Sequence, residues 1–73
     1  MPKLPVVSAQ ECIKALQRIG FVIIRQQGSH ITLKRANPPG RVTIPNHREL
    51  RAGMLRRIIR DAGLTVAEFT DLL

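Results

Sequence analysis

Residues 21–35 read Phe-Val-Ile-Ile-Arg-Gln-Gln-Gly-Ser-His-Ile-Thr-Leu-Lys-Arg, and this stretch decides the fold. Phe21 to Gln26 is short and rich in β-branched and aromatic residues, which predicts a strand, and Gln27-Gly28 supplies the reversal. Ser29 to Arg35 then alternates: Ile31 and Leu33 point one way, and His30, Thr32 and Lys34 the other. That is the pattern of a sheet with one buried and one solvated face. The expectation is an antiparallel hairpin that carries His30 on its open face.

Beyond the hairpin, Ala36-Asn37-Pro38-Pro39-Gly40 cannot extend a ladder, because proline lacks the amide donor. Pro39-Gly40 suits the central positions of a type II turn. Arg41 to Ile44 is expected as a third strand ended by Pro45, with Val42 and Ile44 inward and Arg41 and Thr43 outward. Before the hairpin, Ser8 and Glu11 have capping-box spacing, and Ala9, Cys12, Ile13 and Leu16 form one apolar stripe. A helix is predicted from Ala9 to about Ile19, stopped by Gly20. After a polar connection, Met54, Leu55, Ile58, Ile59 and Ala62 mark a second helix stopped by Gly63, with Arg56, Arg57 and Arg60 on its other side. Thr65 and Glu68 repeat the capping box ahead of Val66, Phe69, Leu72 and Leu73, predicting a short closing helix. The result is an α+β sandwich of order α-β-β-β-α plus that short helix. Its three-stranded sheet is antiparallel, with both main helices on one face.

At 73 residues the chain suffices for one domain, 1–73, since a second core needs roughly 50 residues more. Its hydrophobic residues fall in short patterned blocks, which fits a folded chain, and no block approaches the roughly 20 apolar residues of a membrane span. Met1 to Val7 lacks the apolar core and cleavage site of a signal peptide, so a cytoplasmic location is expected. The single cysteine, Cys12, lies on the predicted apolar helix face and is expected to be buried.

Twelve Lys and Arg against five Asp and Glu give a net charge of +7, and nine of the twelve cations are arginine. An anionic polymer or an acidic protein is the natural partner, and guanidinium forks match phosphate oxygens. His30 and His47 are the side chains whose ordinary pKa permits proton removal and donation near neutrality. RNA cleavage asks for little more: a base for the 2′-hydroxyl, an acid for the leaving oxygen, and positive charge around phosphorus. His30 follows the Gly28 turn and shares its face with Lys34 and with Arg41 or Thr43 of the neighbouring strand. Lys34 lies about 13 Å farther along the strand, so it is placed to hold a neighbouring phosphate. His47 is a second proton carrier or a turn residue, the latter favoured. Arg48, Arg51, Arg56, Arg57 and Arg60 cluster at and after the start of the second helix, where RNA backbone or an acidic partner would bind. Two histidines, one buried cysteine and scattered carboxylates match no metal-site spacing, and no phosphate-binding or dinucleotide glycine motif occurs, so neither metal nor cofactor is expected. With Phe21 and Phe69 the only aromatics, a base-stacking platform is not expected.

Gly28-Ser29-His30 after a hydrophobic strand, Ile44-Pro45-Asn46-His47, Glu49-Leu50, Gly53-Met54-Leu55 and Ile58-Ile59-Arg60-Asp61-Ala62-Gly63 follow one another over nearly the whole chain. In order and spacing they resemble the HicA (YcfA-like) toxins. The resemblance implies a fold like the double-stranded-RNA-binding domain and metal-independent cleavage of messenger RNA. It also implies neutralisation by a HicB antitoxin that covers the active site. The family's catalytic histidine falls on His30 and its adjacent glycine and serine on Gly28 and Ser29; nothing catalytic transfers to Pro45 or His47. The chain departs from the family at Gln27, where lysine or arginine is usual, and at Met54, where threonine is usual. Two other readings compete. One is a non-catalytic module that recognises A-form RNA by shape, and the other is a basic subunit limited to protein contacts or DNA repression, for which no helix-turn-helix pattern occurs.

Overall fold

A computed structural model describes residues 3–73, so Met1 and Pro2 of the N-terminal stretch lie outside it. Helix α1 (Ala9–Gln17) begins where the capping box sets it: the Ser8 hydroxyl accepts from the Glu11 amide at 3.1 Å, and the Glu11 carboxylate accepts from the Ser8 amide at 2.9 Å. Such a cap contributes about 1 kcal/mol. The helix buries Ala9, Cys12, Ile13, Ala15 and Leu16. It stops two residues before Ile19, because the Ile19 and Gly20 amides bond three residues back and tighten the last turn before Gly20 turns left-handed at φ 97°.

Strands β1 (Val22–Gln27), β2 (His30–Arg35) and β3 (Gly40–Pro45) form an antiparallel sheet in the order β1-β2-β3. Register partners share a face. The rows Ile23-Leu33-Val42 and Gln26-Ile31-Ile44 therefore face the helices, while Gln27-His30-Pro45, Arg25-Thr32-Thr43 and Val22-Lys34-Arg41 face away. Helices α1 and α2 (Ala52–Asp61) pack on the β3 side of the sheet, and Ile31, Leu33, Val42 and Ile44 are buried beneath them. That cover stops short of β1, whose six residues are all exposed; Ile23, on the helix-side row, keeps 48% of its surface. A register shift between Ile23 and Arg25 leaves Ile24 without a partner on β2, an interruption of the kind that protects sheet edges.

Three local expectations are corrected. Thr32 is buried at 6% exposure rather than solvated, because on the central strand it has a neighbour on each side, Arg25 and Thr43. Gly40 is not a left-handed turn residue but the first residue of β3; the turn before it runs through a cis Asn37–Pro38 peptide. Glycine leaves room there for Phe21, since an added Cβ would stand 3.0 Å from its Cζ, tighter than an ordinary contact. Met54 does not join the core stripe: α2 buries Leu55, Ile58 and Ile59, and Met54 stays 39% exposed on the flank toward the sheet's open face. Helix α3 (Val66–Asp71) starts at the predicted Thr65-Glu68 capping box and buries Phe69.

Arg35 is the one sheet cation turned to structural use. It caps the Ile19, Pro38 and Ala62 carbonyls at 3.2, 2.9 and 3.3 Å, and its guanidinium lies 4.5 Å from the Phe21 ring centroid.

Candidate active site

No Asp or Glu occurs between Glu11 and Glu49, so the entire sheet is free of carboxylates while Arg25, Lys34, Arg35 and Arg41 all lie on it. Three of these, Arg25, Lys34 and Arg41, project from the open face together with His30. The open face is thus uniformly cationic, a surface suited to an anion.

His30 opens β2 and is exposed. Its position is held from both sides. Gly28 takes φ 60°, a conformation glycine adopts without strain, and its carbonyl accepts from the Gln26 amide side chain at 3.2 Å. On the other side the ladder pairs His30 with Pro45; proline lacks an amide, and the next amide, that of Asn46, donates instead to the Ser29 carbonyl at 2.6 Å. Gly28 and Ser29 therefore form the backbone frame of the imidazole.

A groove of about 390 Å³ opens beside that ring. His30, Arg41, Thr43 and Pro45 supply its sheet wall, and Met54, Arg57, Ile58 and Asp61 its helix wall. The four helix residues are spaced i, i+3, i+4, i+7, one flank of α2. Asp61 sits 3.8 Å from Arg57 in a solvent-exposed pair, which holds Arg57 only loosely and leaves it free to meet an incoming anion. The groove thus gathers an imidazole able to carry a proton and two arginines from different elements. It also has an apolar strip at Met54 and Ile58.

The sequence-predicted cations separate into groups. Arg41 and Arg57 line the His30 groove, and Lys34 is Arg41's cross-strand partner on the same face. Arg48 and Arg51 are exposed in the segment leading into α2, Arg51 being its N-cap residue without a side-chain cap bond, and neither lines the groove. Arg56 and Arg60 lie on the other flank of α2, in a notch against the start of α3. His47 serves through its backbone: its carbonyl accepts from Ala9 at 2.9 Å and its amide donates to Pro45 at 2.8 Å, tying the loop to α1. Asp61, Met54 and Ile58 were not singled out as site residues from the sequence, although their spacing around Arg57 carries the signal. Among the described residues no three His, Cys, Asp or Glu side chains gather as a metal site, and no helix is long and apolar enough to cross a membrane.

The family model described as the HicA toxin of bacterial toxin-antitoxin systems matches residues 9–64, from the start of α1 to the turn after α2, a span that includes every residue lining the His30 groove. No curated protein sequence matches the chain.

Proposed function

The chain belongs to the HicA toxin family of bacterial toxin-antitoxin systems, and from that membership we propose that it is an endoribonuclease that cleaves messenger RNA at His30. The observation that carries the reading is the exposed imidazole framed by Gly28 and Ser29, with Arg41 and Arg57 entering the same groove from a strand and a helix. His30 takes the proton of a ribose 2′-hydroxyl as that oxygen bonds to the adjacent phosphorus, and as the P–O5′ bond breaks the departing 5′-oxygen takes a proton from water. Arg57 meets the negative charge that grows on the phosphoryl oxygens, and Arg41, four rungs from the His30–Pro45 pair and opposite Lys34, lines the far end of the same groove. Lys34, about 13 Å from His30 along β2, holds a phosphate farther along the strand of RNA. Arg48 and Arg51 extend the cationic path beyond the groove. The reaction so written asks for neither metal nor cofactor, and an antitoxin of the HicB kind silences it by covering the groove.

The test is cleavage of a labelled single-stranded RNA in the presence of a chelator. Wild-type chain should cut it and leave the 2′-deoxy analogue intact, and His30→Ala should stay folded and bind RNA without cutting. Equal cutting by the variant would refute the role of His30. Binding without cutting by the wild type would leave a non-catalytic RNA-binding module.

A further inference from the structure

The notch on the far flank of α2 has a composition unlike that of the His30 groove. Arg56 and Arg60 stand over a floor made of Ile59, which is buried, and of Leu64 and Val66, which are half-buried against the core. Arg57 borders the notch but has Asp61 beside it; Arg56 and Arg60 have no carboxylate within ion-pair distance among the described residues. The one acid at the start of α3, Glu68, is turned back onto the Thr65 amide at 2.8 Å as part of the capping box. Two like charges four residues apart on a helix repel one another, so this flank is less favourable alone than with an anion bound.

We propose that this notch docks an acidic peptide segment with an apolar anchor, contributed by the chain's antitoxin partner. The inference rests on toxin-antitoxin membership and is independent of whether His30 cuts RNA. Charge complementarity fixes the sign of the partner, and the apolar floor fixes its class. A phosphate backbone would gain from the two arginines but has nothing to place on Ile59, Leu64 and Val66. Bases would find no aromatic surface, since both phenylalanines are buried. A peptide satisfies both parts: a leucine-like side chain covers the floor while carboxylates reach the guanidiniums. Arg56 and Arg60 are one helical turn apart, about 6 Å along the axis. Acidic residues at i and i+4 of a helix, or i and i+2 of an extended segment, match that interval.

The experiment maps amide chemical shifts of the isotope-labelled chain during titration with three synthetic molecules. These are the peptide acetyl-Glu-Asp-Leu-Glu-Glu-Leu-Asp-Glu-amide, the same peptide with both leucines replaced by serine, and an octameric 2′-O-methyl oligouridine that cannot be cleaved. The leucine peptide should move Arg56, Ile59, Arg60 and residues 64–66 most and bind more tightly than its serine counterpart. With two exposed ion pairs lost, the double variant Arg56→Ser, Arg60→Ser should weaken it by about tenfold. The oligouridine should move the open face of the sheet together with Arg57, and leave Arg56, Ile59, Arg60 and residues 64–66 unchanged. Equal binding of the two peptides, peptide shifts spread over the sheet face, or oligouridine shifts centred on the notch would each overturn the proposal.

Discussion

Lys34 and Arg41 are direct register partners across the β2-β3 ladder, so two cations face each other on the open side of the sheet. Like charges directly opposite one another are destabilising, and no carboxylate in the sheet offsets them. An anion between them removes that cost. Replacing either by glutamine should therefore raise the melting temperature slightly, by a few tenths of a kcal/mol in stability. The same change should weaken RNA binding and lower the steepness of its salt dependence by about one unit. Thermal melts and binding isotherms across a salt series measure both, and a variant that melts earlier than the wild type would contradict the argument.

Gly40 and Gly28 should respond to alanine for different reasons. At Gly40, itself half-buried, the new methyl would meet the buried Phe21 ring at 3.0 Å, so overpacking of about 1–3 kcal/mol is expected. At Gly28 nothing lies within 4 Å, and the cost is confined to the backbone at φ 60°, about 1 kcal/mol. Urea unfolding should rank Gly40→Ala as the less stable. The reverse order would show that the turn, not the contact with Phe21, is the constrained site. Gly28→Ala, sitting two residues before the imidazole, should in addition lower the cleavage rate.

Most of the fold was legible because its signals are local. Ser8 with Glu11 and Thr65 with Glu68 give helix starts from spacing alone, and the alternation of residues 30–34 gives the strand that orients His30. What escaped depends on partners distant in sequence. Thr32 is buried because two other strands flank it, and Gly40 matters because Phe21, nineteen positions earlier, occupies the space. Arg35 reads like any other cation in a basic chain until the Ile19 and Ala62 carbonyls are brought to it. For the candidate site, His30, Arg41 and Arg57 were legible as residue types on the proper faces. The division of the arginine run between the two flanks of α2 was not, because it depends on how that helix is rotated against β3 and α3.

Arg35→Lys tests the structural use of that residue. Lysine keeps the charge and loses the fork that reaches three carbonyls, as well as the planar stack on Phe21. A loss of about 1–3 kcal/mol is expected, because half-buried carbonyls are left without donors. RNA affinity should be unchanged in the folded variant, since Arg35 is on the opposite side of β2 from Lys34. A loss of affinity without a loss of stability would move Arg35 into the binding surface.

Cys12 supplies the pH dependence. Burial within α1's core face raises its thiol from 9.0 to about 12, since the thiolate would be stranded among apolar neighbours. In the unfolded chain the thiol ionises near its ordinary value, so between pH 9 and 12 the folded state holds a proton that the unfolded state has lost. Stability is therefore complete below the unfolded pKa and falls as the pH rises toward the folded one. Urea midpoints of wild type and Cys12→Ala, followed from pH 8 to 11, should converge, with the wild type losing the larger share. At pH 8 the same burial should keep Cys12 unreactive toward a disulfide-exchange reagent until urea unfolds the chain. Rapid labelling of the folded protein would show that α1 opens locally, and the packing that positions β3 beneath it would then have to be judged looser than the buried Leu16, Val42 and Ile44 imply.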